Sequence, residues 1–159
     1  MRKNNPPEST ESGAFDVAAR LLARREHSAA ELRFKLARRG FETGHVEAAL
    51  SRLQEHGWQD DGRYAEAKTA SRVSSGMGPL KLRAELQAAG VAEAEAERAM
   101  REAEVDWRER ARAAHARRFG GPPADAREWQ KQYRFLLGRG FRAEDIHAVL
   151  REQPSDEDG

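Results

Sequence analysis

The sequence predicts an all-α protein: three tandem three-helix repeats forming an elongated, curved molecule. Three observations lead there. β-Branched residues are scarce, with six Val, one Ile and three Thr in 159 residues, whereas Ala, Arg, Glu and Leu, which favour helix, dominate. A segment of 20 residues recurs three times at an offset of 50. The apolar fraction is low, 38% beside 35% charged. That suits small stacked units sharing interfaces better than one thick core.

The repeat is ungapped. ELRFKLARRGFETGHVEAAL from Glu31, KLRAELQAAGVAEAEAERAM from Lys81 and KQYRFLLGRGFRAEDIHAVL from Lys131 bring Gly40, Gly90 and Gly140 into register. Leu36, Leu86 and Leu136 coincide, as do Phe41, Val91 and Phe141. So do Val46, Ala96 and Ile146, and Leu50, Met100 and Leu150. Self-similarity at a fixed period marks a repeat architecture. The expected divisions are a disordered tail over 1–14, repeats over 15–57, 58–104 and 105–152, and an acidic disordered tail over 153–159.

Each repeat reads as three helices. In the first, Phe15, Ala18, Ala19, Leu22 and Ala23 form one stripe of a helix that runs to Glu26. Ser28 and Glu31 have capping-box spacing, in which the hydroxyl accepts from the Glu31 amide while the carboxylate reaches back. Leu32 and Leu36 continue the core face. Gly40 ends that helix, because the residue after a helix commonly adopts positive φ. Thr43 or Gly44 opens the third helix, with Val46, Ala49, Leu50 and Leu53 inward and Gly57 closing it. In the second repeat, Asp60 or Asp61 caps a helix through Tyr64, Ala65, Ala67 and Lys68. Pro79 suits the first turn of the next, where its missing N–H is no loss, and Leu82 and Leu86 repeat the core pair. The third repeat runs from Asp106 through Phe119, across a GGPP loop, then from Asp125 to Arg139 and from Ala143 to Leu150.

Charge is balanced in sum and uneven along the chain. There are 28 basic and 27 acidic residues, and 23 of the basic ones are Arg. Arg20 to Arg39 holds seven bases and two acids, and Trp107 to Arg142 holds ten bases and three acids. Glu85 to Asp106 holds seven acids and two arginines, and the last eight residues carry four acids. Blocks of sign imply a polarised surface, against a background of i, i+4 pairs such as Arg98 with Glu102. Guanidinium forks suit phosphate and carboxylate.

Several chemistries find no support. The chain has no cysteine, which excludes disulfides, thiolate metal sites and cysteine nucleophiles. The five histidines never stand at i, i+3 or i+4 spacing, so no local metal site is expected. GMGPLK at Gly76 lacks the spacing of a phosphate-binding loop. Asp60 and Asp61 read better as helix caps than as catalytic or metal-binding carboxylates. No apolar run is long enough to span a membrane and the N-terminus lacks an apolar leader, so a cytoplasmic protein is expected. Neither catalytic residues nor a cofactor or metal are expected.

Taken in order, LLARREHSAAELRFKLARRGF, EHGWQDDGRYAEAKTASR, GMGPLKLRAEL, DWRERARAAHARRFG and YRFLLGRGF resemble the RecX regulatory family, modulators of the bacterial RecA recombinase. The resemblance covers Phe15 to Arg151. Trp58 stands where Tyr or Phe is more usual, and Gln59 replaces the common aliphatic residue. The resemblance implies three tandem helical repeats in an elongated monomer. It further implies binding in the groove of the RecA–DNA filament during homologous recombination and the SOS response. There such a protein inhibits ATP hydrolysis, strand exchange and coprotease activity.

Charge clustering nominates the contacts. They are Arg24, Arg25, Arg33, Arg38 and Arg39 at one end and Arg117, Arg118, Arg134, Arg139 and Arg142 at the other. Lys81 and Arg83, beside the GMGP loop, are secondary choices. Weak contact with single- or double-stranded DNA phosphates is a further expectation. The alternative is a helix-turn-helix-like protein acting directly on nucleic acid. The helix after Gly40, however, offers Glu42, Thr43, Gly44, His45 and Glu47, which is poor chemistry for base edges.

Overall fold

The computed structural model describes residues 8–152. Among the described residues nine α-helices follow one another without a strand. They are α1 (Glu11–Arg24), α2 (Ala29–Arg38), α3 (Thr43–Glu55), α4 (Asp61–Ser74), α5 (Pro79–Ala88), α6 (Glu93–Glu102), α7 (Trp107–Arg118), α8 (Ala126–Gly138) and α9 (Ala143–Arg151). They form three tandem groups of three.

The second helix of every group ends in the same way. Gly40, Gly90 and Gly140 all have positive φ, at 91°, 78° and 95°. The following N–H then folds back onto the last turn: Phe41 to Leu36 O at 3.2 Å, Val91 to Leu86 O at 3.1 Å and Phe141 to Leu136 O at 3.2 Å. This six-to-one closure satisfies a carbonyl that the helix would leave open. It also returns an apolar side chain to the core, where Phe41, Val91 and Phe141 are buried.

Two compact units result. Unit one comprises residues 8–67 and 86–99 of those described. Its α1–α3 core is Ala14, Ala18, Leu32, Leu36, Phe41, Val46, Ala49, Leu50 and Leu53. Unit two comprises residues 68–85 and 100–152 of those described. Ala111, Ala114, Leu136, Phe141, Ile146, Val149 and Leu150 fill its core. Leu32, Leu53 and Leu136 are sealed from solvent, so truncating any of them to Ala costs about 2–5 kcal/mol.

Three local details differ from the sequence reading. The first helix begins at Glu11, inside the stretch expected to be a disordered tail over 1–14. Thr10 Oγ1 accepts from Gly13 N at 2.9 Å, and Ser9 Oγ accepts from Glu42 N at 2.8 Å. These hydroxyls cap the helix and pin the segment before it. With the earlier start, the buried stripe falls on Ala14 and Ala18, while Ala23 is exposed. The remainder of that tail, residues 1–7, and the acidic tail over 153–159 lie outside the described residues.

The second difference is at Ser28. Its Oγ accepts from Glu31 N at 3.1 Å, as the capping box requires. The Glu31 carboxylate, however, takes Arg25 Nη2 at 2.9 Å instead of turning back on the cap. The third is Arg98, whose partner is Glu95 at 2.9 Å rather than Glu102.

The two aspartates of the GWQDD string do different jobs. Asp60 Oδ1 accepts from Arg63 N at 2.9 Å, capping α4. Asp61 Oδ1 accepts from Ala29 N at 2.8 Å, at the start of α2, and from Gln59 Nε2 at 2.9 Å. Gln59 is 3% exposed. A polar side chain survives there because its amide also meets His27 O at 3.3 Å and Gln54 Nε2 at 2.9 Å.

Candidate functional site

Each of the twelve nominated cations is exposed except Arg83, which is half-buried. Exposure is shared; pairing is not. Arg25 is bonded to Glu31, and Arg33 makes a fork to Glu47, Nε to Oε1 at 2.7 Å and Nη2 to Oε2 at 3.3 Å. Both guanidiniums are therefore neutralised within unit one. Arg38 and Arg39 line a shallow depression on the same unit with Leu21, Phe34 and Lys35. Arg24, in the last turn of α1, is not part of it.

Unit two concentrates charge in a groove. Arg117, Arg118 and Arg139 line it together with Arg110. The apolar part is Val73, Ala113, Ala114 and Phe135. No carboxylate lines it, and among the described residues no acid pairs with these four guanidiniums. Two of them are held by other means. Arg118 lies 5.8 Å and Arg139 5.9 Å from the Phe135 ring centroid, within cation–π range. Arg139 Nη2 also donates to Ser75 O at 3.2 Å.

Helical geometry explains why α7 supplies most of this charge. Arg110, Ala113, Ala114 and Arg117 stand at i, i+3, i+4 and i+7, one face of a helix. Arg108 and Arg112 lie on another face and are neutralised there. Arg108 pairs with Asp145 at 3.4 Å, and Arg112 Nε donates to Glu152 Oε2 at 2.6 Å and also meets Glu109. The Arg112 guanidinium holds the Glu152 carboxyl below its usual range. The groove face is thus the side of α7 on which positive charge is left uncompensated. Asp106 caps the helix at its start, accepting from Glu109 N at 3.1 Å. His115 Nε2 sits 2.7 Å from Gln132 Oε1, fixing α7 to α8 just before Arg117.

Arg110 was not among the nominated contacts, though the i, i+3, i+4, i+7 spacing signals it. The other nominated residues of unit two stand apart from the groove. Arg134 and Arg142 are exposed but do not line it. Lys81 sits in the first turn of α5 with its backbone against Gly140, and Arg83 is half-buried on the same helix.

The arrangement suits recognition of an anion. No group of three His, Asp or Glu side chains able to hold a metal occurs among the described residues. Nor is any helix among them long and apolar enough to cross a membrane. On α3, the Glu47 carboxylate is engaged by Arg33.

Comparison with known proteins agrees with this architecture. Family models described as the first, second and third three-helix domains of RecX match residues 14–53, 60–100 and 104–150. A regulatory protein RecX of Halorhodospira halophila is 46% identical over 144 residues, covering 90% of this chain and 89% of that protein. One from Acidithiobacillus ferrooxidans is 49% identical over 135 residues, covering 84% and 86% respectively. The crystal structure of RecX from Lactobacillus salivarius superposes with a TM-score of 0.75 at 20% identity, covering 88% of this chain and 94% of that one. Helix order, the repeated glycine closures and these matches together establish that the chain belongs to the RecX regulatory protein family.

Proposed function

We propose that this chain regulates the RecA recombinase by binding the RecA–DNA filament, where it mainly inhibits ATP hydrolysis, strand exchange and coprotease activity. Family membership supports the regulatory role. The observation that carries the binding mode is the groove of unit two, with Arg110, Arg117, Arg118 and Arg139 and no lining carboxylate. Four guanidiniums lining one groove, two of them beside the Phe135 ring, form a surface that suits an anionic partner. In a nucleoprotein filament the backbone phosphates supply one, and planar guanidinium forks suit them. The protein acts by binding, as a monomer, with no catalytic residue or cofactor of its own.

The test is DNA-dependent ATP hydrolysis by the cognate recombinase, titrated with this protein. Hydrolysis falls as the protein approaches stoichiometry with the filament. An unchanged rate at that level overturns the reading.

A further inference from the structure

Phe34 is 63% exposed, more than any other large hydrophobic side chain among the described residues. It stands on α2 beside Leu21 of α1, and the two form the apolar floor of the depression on unit one. Lys35, Arg38 and Arg39 rim it, and no carboxylate lines it. The two acids that pair with α2 arginines or their neighbours are already engaged, Glu31 with Arg25 and Glu47 with Arg33. Lys35 is held in place, since its Nζ meets His27 Nε2 at 2.8 Å. The Arg38 guanidinium lies 5.7 Å from the Phe34 centroid, covering part of the ring.

We infer that this depression docks a protein surface presenting an apolar side chain flanked by carboxylates. Leaving Phe34 and part of Leu21 uncovered beside three cations has no use for a partner that is only phosphate. Arg38 lies over one face of the Phe34 ring and takes that face from a stacking nucleobase. An apolar knob between α1 and α2 covers the floor, while acids at its edge meet Lys35, Arg38 and Arg39. Aromatic and arginine anchors at the centre of a patch are the usual carriers of protein–protein affinity. The inference rests on the reading that the filament is the partner. It assigns unit one to the filament's protein and leaves phosphate to the groove of unit two.

The experiment compares the parent protein, Phe34→Ala and an Arg38→Glu/Arg39→Glu double variant. Each is bound to recombinase filament assembled on single-stranded DNA with a non-hydrolysable ATP analogue, and to the same oligonucleotide naked. The substituted side chains are exposed, and far-ultraviolet circular dichroism checks that helicity is kept. Phe34→Ala weakens filament binding about tenfold or more and leaves oligonucleotide binding as it was. The double variant does the same to filament binding. Unchanged filament binding by Phe34→Ala, or an equal loss on naked oligonucleotide, overturns the inference alone. Failure of the parent to bind filament overturns the functional reading and this inference with it.

Discussion

The Ser28 hydroxyl donates to the Ala89 carbonyl oxygen at 2.6 Å, across 61 positions of sequence. Fifty residues further along, the Gly78 N–H donates to Arg139 O at 2.7 Å. The same junction is thus built twice, once in each unit. In both, the turn that ends a second helix rests on the start of the preceding group's second helix. A Cβ on Gly90 would lie 2.5 Å from Ala30 Cβ, and one on Gly140 would lie 2.4 Å from Lys81 Cβ. The repeated glycine therefore serves two purposes, positive φ and close approach.

Those two purposes separate experimentally. Gly40 has a φ of 91° but nothing within 4 Å of the added carbon. Gly40→Ala should cost only the left-handed backbone penalty, about 1–2 kcal/mol. Gly140→Ala should cost at least about 1 kcal/mol more, because the new methyl has nowhere to go. Urea denaturation midpoints of the two variants check this. Equal midpoints would mean that the junction yields without strain.

Ser28 is a helix cap with a second duty, and Asp125 is a cap alone, accepting from Glu128 N at 2.8 Å in an exposed position. Asp125→Ala should cost about 1 kcal/mol. Ser28→Ala should cost about 1–3 kcal/mol more, because it also strips the Ala89 carbonyl of its donor. The measurement is the difference in unfolding free energy between the two variants.

His27 gives the fold a pH dependence of definite sign. Its Nδ1 is 3.0 Å from Arg25 O and so carries the proton, leaving Nε2 to accept from Lys35. Burial pushes the imidazole below its ordinary range, and the Arg25 and Lys35 charges push the same way. The folded state therefore resists a proton that the unfolded chain takes up. Stability is complete above the ordinary histidine value of about 6.5 and falls as pH drops through it. Urea midpoints at about pH 7.5 and about pH 5.5 should differ in the parent, and His27→Gln should flatten the difference. Glu31 acts lower on the scale. Burial alone would raise its carboxyl, but hydrogen bonds from Tyr64 and Arg25 hold it below the usual range. Its contribution is present above the ordinary carboxylate value and is lost only as the pH falls through the depressed one.

Pairing, rather than exposure, should rank the arginines. Arg33→Ala breaks an exposed ion pair and should change oligonucleotide affinity less than twofold. Arg110→Ala removes a free fork from the groove and should weaken binding several-fold, as Arg117→Ala does. With about four phosphate contacts on a single strand, log affinity should fall against log salt with a slope near −3, and lose about 0.7 of that slope per groove arginine removed. Fluorescence anisotropy across a salt series reads both effects.

Much of this architecture was legible in the sequence, for identifiable reasons. Glycine at a helix end and leucine four residues before it are local rules, and threefold repetition at Gly40, Gly90 and Gly140 made them plain. Ser28 was legible as a cap for the same reason. The start of α1 was missed because Thr10 lies in polar composition that looks like a tail. Its second tether, Ser9 to Glu42, spans 33 positions. Partners of that kind are set by tertiary placement, as are Glu47 for Arg33 and the buried bonds of Gln59. Sequence clustering found the basic surface but could not separate neutralised guanidiniums from free ones. Arg25 and Arg33 are neutralised by Glu31 and Glu47, whereas Arg110, Arg117, Arg118 and Arg139 have no acid partner among the described residues.

The most direct test of the central claim is co-sedimentation with preformed recombinase filament at about 50 mM and about 200 mM salt. It compares the parent with the triple variant Arg117→Glu, Arg118→Glu and Arg139→Glu. The parent should pellet with the filament at the lower salt and less at the higher, while the variant, with unchanged helicity, stays in the supernatant at both. A triple variant that pellets as the parent does at both salts would contradict the assignment of the unit-two groove to filament binding.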